Sequence, residues 1–364
     1  MRIPLALSHR WGRLAACVVF FAALAVVAPA RADLSATTVC TQPGLTVSID
    51  ECFGLINLYN TTRGDSWTNA SGWGSADVES WFGVRIDAIG RNVLTIELPS
   101  NNLEGILPSQ LNALTKLQSL LLANNRIADR IPDSLGSLPA LRNLDLSNNF
   151  LIGSIPAELG NLPQLRLLLL NGNQLTGAIP SSFSQLNLLN TLYLYDNNLS
   201  GPIDVLAQLP ALRLALLGGN GFTGTLPSGL GALSQLELLF LDRNALNGPI
   251  PPCLGNATTL QALVLFDNAL SGTLPASLGN LTALDTLSLG QNQLRGTLPD
   301  TLAALSLDFF GINNNHFNAE TNGFARIPPT LQTWFAAIPS KNIAGQTRSN
   351  TVFHDGYERL ACAL

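Results

Sequence analysis

Four aspartates are the residues whose type and recurrence could do chemistry. Asp145, Asp196, Asp242 and Asp267 occupy related positions in a repeating sequence. Two neighbouring carboxylates can act as general acid and general base in hydrolysis. These four lie in different repeat units and are mixed with asparagine and arginine, a composition typical of a solvated binding surface. The sequence therefore predicts no catalytic residue among them.

Signatures of other site chemistries are missing from the sequence. Of three histidines, His316 lies in the last repeat and His354 near the C-terminus. There is no cluster of cysteine and histidine at metal-ligand spacing, no Walker loop and no G-x-S-x-G motif. We therefore expect a protein that is not an enzyme and that needs no cofactor and no metal ion.

The aspartates belong to a pattern, L-x-L-x-x-N-x-L, that recurs ten times between Val93 and Phe317. A fixed period in the twenties is typical of a solenoid, whose units bury their apolar faces only by stacking. The steps between successive asparagines are 24 residues long, apart from two of 23, and the asparagines are Asn101, Asn125, Asn149, Asn173, Asn197, Asn220, Asn244, Asn268, Asn292 and Asn315.

The spacing within one unit predicts a short strand. In Leu144-Asp145-Leu146 the two leucines point inward and Asp145 points to the other face. Ten such strands, about 4.8 Å apart, would form a parallel sheet roughly 43 Å across. The asparagine follows the strand, where its amide can satisfy backbone groups that lose their partners. We predict a buried ladder of all ten asparagines.

The second half of each unit predicts a bend and a helical turn. A glycine two residues after the next leucine allows the backbone to bend, and a proline then fixes φ before a turn that ends in L-G-x-L. Asp129 takes the glycine's place in the second unit. In the fifth unit Asp204 replaces the proline and the unit is one residue short, so we expect an irregularity there.

The complete unit, L-x-x-L-x-L-x-x-N-x-L-x-G-x-I-P-x-x-L-G-x-L, resembles the plant-type extracellular leucine-rich repeat. This is the repeat of polygalacturonase-inhibiting proteins and of receptor-kinase ectodomains, and the resemblance covers residues 93–317. It implies an α/β solenoid: a right-handed superhelix with a parallel concave sheet, ten repeats of 23–24 residues and a cap at each end. The scaffold does not specify a function. The kinase signature of the receptors is missing.

The caps follow from the flanking sequence. We assign residues 33–92 to an N-terminal cap, 93–317 to the array, 318–338 to a C-terminal cap and 339–364 to a polar, loosely packed tail. Residues 33–47 are expected to be irregular. A capping box at Ser48 to Glu51 predicts a helix to about Asn60 that covers the open end of the first strand.

Three tryptophans of the N-terminal cap, Trp67, Trp73 and Trp81, lie in motifs that resemble the cap of the same repeat proteins. In those proteins two cysteines bracket the W-x-G-V motif, where this chain has Glu79 and Ile86, so the corresponding disulfide is absent. The tryptophans could stack on sugar rings, but large aromatics at fixed spacings more often fill a core.

Residues 1–32 have the features of a secretory signal. A basic start is followed by the apolar stretch from Leu14 to Val27 and by Ala30-Arg31-Ala32, so the predicted mature start is Asp33. The protein is then secreted, periplasmic or at the cell surface. Two other interpretations stay open: Cys17 as a lipoprotein acylation site, and an uncleaved anchor.

The cysteines are consistent with an exported protein. Cys40 and Cys52 are 12 residues apart in the cap, and we predict a disulfide between them. Whether Cys253 pairs with Cys362 is left open by the sequence.

Charge and hydropathy exclude several partners. Removal of residues 1–32 takes away four arginines, which leaves 15 basic and 24 acidic residues. Nucleic acids and anionic membranes require a basic patch. No apolar run after residue 33 approaches the roughly 20 residues that span a bilayer.

Binding is the function that the repeats predict. Positions between the inward leucines face the concave surface, and in units four to eight they are apolar or aromatic, which is typical of an interface. The predicted partner-binding residues are Leu169, Tyr193, Tyr195, Asp196, Leu216, Phe240, Asp242, Arg243, Val264, Phe266 and Asp267, with the charged members as a polar rim. The leading hypothesis is a secreted recognition protein for a protein ligand. The alternatives are a glycan-binding adhesion module, and a satellite core in which these side chains cover one another.

Overall fold

The computed structural model describes residues 33–317 and 327–342. This part of the chain is an α/β solenoid, as predicted, in which each repeat contributes a strand and a second short strand, and each of the first nine also contributes a 3-10 turn. The predicted signal peptide, His354, Cys362 and most of the predicted tail lie outside the described residues.

The first sheet is built from the L-x-L segments. From Val93–Glu97 onward, each strand pairs with the next in parallel and in register, so that Glu97, Leu121, Asp145 and Leu169 are consecutive partners. The described part has twelve strands in this sheet: Val84–Ile86, Val93–Glu97, Ser119–Leu121, Asn143–Asp145, Leu167–Leu169, Thr191–Tyr193, Leu214–Leu216, Leu238–Phe240, Ala262–Val264, Thr286–Ser288, Phe309–Gly311 and Ser340–Asn342.

A second parallel sheet, which we did not predict, runs along the flank of the array. The N-x-L-x-G segment forms a strand before the chain bends, and the alternation of its inward leucine with outward residues is the signal that could have revealed it. Asp129 adopts the positive φ of the glycine that it replaces. The ten strands are Glu104–Ile106, Arg126–Asp129, Phe150–Ser154, Gln174–Gly177, Asn198–Gly201, Gly221–Thr225, Ala245–Pro249, Ala269–Gly272, Gln293–Gly296 and His316–Phe317.

Short 3-10 turns complete the repeats. A proline with extended backbone precedes most of them, for example Pro156 with φ −61° and ψ 132°. In the fifth repeat Ile203 takes that place with φ −110° and ψ 19°, so the predicted irregularity is present. The turns are Ser109–Ala113, Asp133–Ser137, Ala157–Asn161, Ser181–Gln185, Asp204–Gln208, Ser228–Ala232, Pro252–Asn256, Ala276–Asn280 and Asp300–Ala304.

The core is a continuous stack of leucines between the two sheets and the turns. Leu120, Leu144 and Leu168 succeed one another in the first sheet, and each is fully buried. Burial of a leucine side chain contributes roughly 2 kcal/mol. Because every repeat relies on its neighbours for this burial, the array is stable only as a stack.

The N-terminal cap contains two helices, Ala36–Cys40 and Ile49–Thr61. The first is a correction, since we predicted irregular structure there. The second confirms the capping box: the Glu51 amide donates to Ser48 Oγ at 3.2 Å. The Glu51 carboxylate also accepts a hydrogen bond from the Val93 amide, at 3.0 Å, and so joins the cap to the first strand of the array. The Cys40–Cys52 disulfide is formed as predicted.

The exposed edge of the first sheet is covered differently from our expectation. We predicted that the helix lies over it, but the antiparallel strand Val84–Ile86 pairs with Val93–Glu97 instead. A strand satisfies the edge hydrogen bonds that a helix would leave open. The tryptophans fill the cap core: the Trp73 ring lies 4.8 Å from the rings of both Trp67 and Trp81, and Trp81 is 1% exposed.

The described part of the C-terminal cap contains the 3-10 turn Pro329–Leu331 and the helix Gln332–Ala337, and residues 318–326 of the predicted cap lie outside the described residues. Trp334 donates to the Leu305 carbonyl at 2.8 Å, which fastens the helix to the last repeat. Residues Ser340–Asn342 then pair in parallel with Phe309–Gly311. We expected loose packing from residue 339, and this strand corrects that expectation, because the last strand of the array has a free edge to fill. No helix in the described residues is long and apolar enough to cross a bilayer.

Candidate interaction surface on the concave face

The asparagine ladder lies inside the array, where the strands of the concave face end. In one repeat, Asn173 Oδ1 accepts from the Leu151 amide, and its Nδ2 donates to the carbonyls of Leu146 and Leu170, each at 3.0 Å. The other asparagines of the array repeat this bridge to the preceding unit, from Asn125 to Asn315. Asn101 instead joins the array to the cap through the backbone of Asn69. The ladder satisfies the backbone groups where each strand ends.

The predicted apolar patch forms a satellite core. Side chains of consecutive strands cover one another across the concave face, so Tyr193, Leu216, Phe240 and Val264 are all buried, Phe240 with 3% exposure. We expected these side chains to face solvent. We define the concave cluster by its buried members Tyr193, Leu214, Leu216, Leu238, Phe240, Ala262 and Val264 and its half-buried members Leu169, Tyr195 and Phe266.

The physical reason for this burial is the strand spacing. Neighbouring parallel strands are about 4.8 Å apart, less than the width that two large side chains need to remain separate. Five successive repeats with large side chains therefore leave each inner member flanked on both sides. What a partner can reach directly is the half-buried set, Leu169, Tyr195 and Phe266, together with the exposed Asp196, Arg243 and Asp267.

Burial also changes the ionisation of the cluster. Desolvation, and to a smaller extent the neighbouring Tyr195, raises the pKa of Tyr193 to about 12, while the positive charge of Arg213 acts in the opposite direction. The ring centres of Tyr193 and Tyr195 are 6.1 Å apart. The Tyr193 phenol is therefore neutral at physiological pH, and it adds no charge to the floor of the concave face.

A charged network lies beside the cluster. Arg243 Nε donates to Asp242 Oδ2 at 3.0 Å, and Arg243 also forms an ion pair with Asp196 at 3.3 Å. We assigned Asp242 to a solvent-facing rim, but its side chain is 1% exposed, because Arg243 covers it. Asp196 and Asp267 are exposed as predicted. The buried carboxylate is therefore a support for Arg243, since a buried charge requires a partner.

The backbone of Arg243 is unusual. It has φ 51°, in the left-handed region that arginine rarely adopts. Gly219 lies between the two ends of the Asp196–Arg243 pair, and a Cβ on Gly219 would lie 2.4 Å from Asp196 Oδ1. The glycine thus leaves room for the ion pair to cross the intervening repeat. The fold keeps Arg243 in a fixed, half-exposed position on the concave face.

The four aspartates have different environments. Asp145 accepts hydrogen bonds from the amide and hydroxyl of Ser147, at 3.0 and 2.6 Å, and the Asp242 carboxylate bonds Arg243. Asp196 and Asp267 are exposed. Within the described ranges there is no group of histidine, cysteine and acidic residues that could hold a metal ion. Cys253 is exposed and forms no disulfide with any residue that the structure describes, and the question of its pairing with Cys362 stays open.

A second set of functional candidates, which sequence reasoning missed, lies at the start of each strand of the first sheet. Apart from the first member, Leu94, each of these residues donates its amide to the carbonyl of its counterpart in the preceding repeat, for example Arg166 to Arg142 and Asp308 to Asp285, each at 2.8 Å. We call this set the edge row; it comprises Leu94, Gln118, Arg142, Arg166, Asn190, Arg213, Glu237, Gln261, Asp285 and Asp308. The fixed position before each L-x-L segment was the available signal.

The edge row contains one acid with a perturbed ionisation. Burial raises the pKa of Asp285 above its usual value, a hydrogen bond from Thr286 lowers it, and repulsion from Asp308 raises it further. The carboxylates of Asp285 and Asp308 thus lie close enough to repel each other. This end of the row is a site of concentrated negative charge.

Comparison with known proteins agrees with this architecture. Two models of leucine-rich repeats match, one over residues 91–151 and 115–175 and the other over residues 259–281. A search of curated protein sequences gave no match. The chain is a leucine-rich repeat protein with repeats of the plant extracellular type.

Plant proteins are among the solved structures with the same fold. The ectodomain of the receptor kinase GASSHO1/SCHENGEN3 from Arabidopsis thaliana, in complex with CASPARIAN STRIP INTEGRITY FACTOR 2, is 35% identical over 66% of this chain and 29% of that one, with a TM-score of 0.65. The Arabidopsis receptor kinase HAESA, in complex with the peptide hormone IDA and the co-receptor SERK1, is 38% identical over 66% of this chain and 41% of that one, with a TM-score of 0.60.

A plant ice-binding protein has a TM-score of 0.67 at 23% identity, over 84% of this chain and 99% of that one, and shares the fold. This chain spans less than half the length of the two receptor ectodomains. The similarity to the receptors therefore concerns a portion of their repeats.

Proposed function

We propose that this chain is a secreted, non-catalytic recognition protein that binds a protein partner through the concave face of repeats four to eight. The carrying observation is the concave cluster: an apolar floor with half-buried Leu169, Tyr195 and Phe266, beside the fixed charges of Asp196, Arg243 and Asp267. Aromatic and arginine side chains on a preorganised surface are typical of binding hot spots. The similar receptor ectodomains were solved with a peptide hormone or an integrity factor bound.

The buried members of the cluster have a supporting role in this proposal. Tyr193, Leu216, Phe240 and Val264 hold the floor rigid, and a rigid surface loses less conformational entropy when a partner binds. Burial of the same rings also argues against a glycan-binding role, because sugar stacking requires an open ring face. Trp67 and Trp81 of the N-terminal cap are also buried, so their ring faces are not open to a sugar either.

The test is the binding of a native partner to a double variant, Tyr195→Ala with Phe266→Ala. The partner is first captured from the native environment with the chain from Asp33 as bait, and then identified and purified. We expect at least a tenfold loss of affinity, about 1.4 kcal/mol, because the reachable part of the floor is removed. Calorimetry or surface plasmon resonance measures the loss.

The control is Phe150→Ala with Ile152→Ala. These side chains are 51% and 42% exposed, and they lie on the second sheet, away from the concave face. The control variant should bind as tightly as the parent. An equal loss in both variants, or no loss in the first, contradicts the proposed surface.

We propose export on two grounds. The Cys40–Cys52 disulfide is typical of proteins in oxidising compartments, and residues 1–32 have the composition of a cleaved signal. Sequencing of the N-terminus of the exported protein should give Asp33 as the first residue. A chain that starts at Cys17, or that retains residues 1–32, contradicts this prediction.

A further inference from the structure

The charges of the edge row are segregated by sign. The row has Arg142, Arg166 and Arg213 in its first part and Glu237, Asp285 and Asp308 in its second. Arg213 and Glu237 meet in the middle and neutralise each other, with Nε donating to Oε1 at 2.6 Å. The outer four residues are exposed, and none of them forms an ion pair within the described parts of the chain.

We propose that the concave face binds an extended polypeptide segment of another protein with acidic residues at one end and basic residues at the other. The acidic end lies against Arg142 and Arg166, and the basic end lies against Asp285 and Asp308. The apolar middle of the segment lies on the concave cluster. This inference rests on the proposed function and specifies the partner of that surface.

The spacing of the row sets the length of the segment. Arg166 and Asp285 are five strand spacings apart, which is about 24 Å. An extended chain advances about 3.4 Å per residue, so about seven residues separate the two charged ends. A 12-residue extended segment reaches both ends, whereas a helix of 12 residues is only about 18 Å long. The bound segment is therefore extended if it is this short.

Charge complementarity selects a polypeptide over other partners. A nucleic acid carries negative charge along its whole length, so Asp285 and Asp308 would repel it. A neutral glycan would gain nothing from the separated charges. Opposite charges at two ends fix the orientation and register of a bound segment, which is the usual contribution of interfacial charge.

Stability considerations support a functional role for the acidic end. The raised pKa of Asp285 means that its carboxylate form disfavours the folded state at neutral pH. Asp145 lies three residues after Arg142 in the same repeat, and it is half-buried and bonded to Ser147. The positive charges of Arg142 and Arg166 are therefore not neutralised by an ion pair within the described residues.

The test uses a displayed library of random 12-residue peptides selected on the chain from Asp33. Enriched peptides are synthesised, and their affinities are measured for two variants, Arg142→Glu with Arg166→Glu and Asp285→Arg with Asp308→Arg. We expect enriched peptides with acidic and basic ends about seven residues apart, and at least a tenfold weaker binding to each variant. Reselection on the first variant should yield peptides with basic residues at both ends.

Two controls match these variants in charge change. Arg126→Glu with Arg295→Glu alters exposed arginines of the second sheet, and Asp133→Arg with Glu158→Arg alters exposed acids of the outer turns. Both should bind the peptides within twofold of the parent. Melting curves verify that all four variants are folded.

The proposal is overturned if the library enriches nothing, if enriched peptides lack separated charges, or if the edge-row variants and controls behave alike. The proposed function fails separately. If binding of the native partner depends on Tyr195 and Phe266 but not on the edge row, the proposed function stands and the proposal of a charged segment is rejected. A partner indifferent to all of them would remove both.

Discussion

The asparagine ladder and the concave column occur at the same spacing, one residue per repeat, but they differ in sequence. The ladder is asparagine in all ten units. The column in register with Glu97 contains acids, leucines, aromatics, serine and glycine. Inside the array, each repeat has the same backbone groups without a strand partner, so an asparagine side chain forms the required hydrogen bonds in every repeat. On the concave face, no such constraint acts, and the residues are free to differ.

The concave cluster is an intermediate case. It lies on the surface side of the sheet, yet its inner members are as buried as parts of the core. Repeats four to eight therefore bury apolar surface on both faces of the first sheet. Earlier repeats bury it mainly on the inner face, because their concave positions include the polar residues Ser119, Asn143 and Asp145. Outward-facing residues of the first sheet can therefore contribute to stability as well as to binding.

The largest expected effect comes from breaking the ladder. Asn173→Ala removes hydrogen bonds to three carbonyls and one amide, most of them at 3.0 Å. Since these backbone groups are buried and would lose their partners, we expect a loss of about 4 kcal/mol in the free energy of unfolding. Urea denaturation measures it. Gln174→Ala is the control: Gln174 follows Asn173 directly, its side chain is exposed, and the substitution should cost much less.

The next effect tests the satellite core. Phe240→Ala should lower the free energy of unfolding by about 3 kcal/mol, because the ring is almost fully buried among its neighbours. The exposed Phe150 provides the matched control, and Phe150→Ala should cost less than about 0.5 kcal/mol. Equal losses for the two variants would show that the concave cluster contributes no more than ordinary surface residues.

A smaller effect should appear at alkaline pH. The pKa of Tyr193 is raised to about 12 in the folded state from 10.0, because burial favours the neutral phenol. A raised folded-state pKa means that the contribution is complete below pH 10 and is lost as pH rises through about 12. Tyr193→Phe cannot ionise, so its stability relative to the parent should increase above pH 10 and stay constant between pH 7 and 9. A constant difference up to pH 12 would contradict the assignment.

The smallest effect is a gain of stability. Asp285→Asn should raise the melting temperature slightly at pH 7, since burial and Asp308 raise the pKa of Asp285 and so disfavour its charged form. The folded-state pKa is above the unfolded one, so the gain should disappear as pH falls below the unfolded value of about 3.9. Calorimetry at pH 7 and pH 3 measures it, with Asp133→Asn as the control.

The repeat pattern predicted the parallel first sheet, the helical turns and the irregular fifth repeat, and the spacing of Cys40 and Cys52 in an exported chain predicted their disulfide. These features follow from local spacing and local chemistry. The second sheet was missed because we interpreted the glycines as a simple bend. The helix Ala36–Cys40 is short, and the strand Ser340–Asn342 exists only because the last repeat offers an edge, so neither has a local signal.

For the candidate site, the sequence identified the column correctly but not its exposure. Tyr193, Leu216, Phe240 and Val264 lie where the pattern placed them, and their register is as expected. Their burial depends on how residues 23 or 24 positions apart cover one another. The edge row was missed because its charges have meaning only when ten distant residues are set side by side.

The architecture follows from the sequence pattern, because a period of 24 residues with inward leucines and a terminal asparagine has one way to bury its apolar groups and satisfy its backbone. The tertiary structure decided which outward side chains remain reachable and how charge is distributed along the face. Both depend on contacts between repeats, at distances of about 4.8 Å in space that correspond to a full turn of chain.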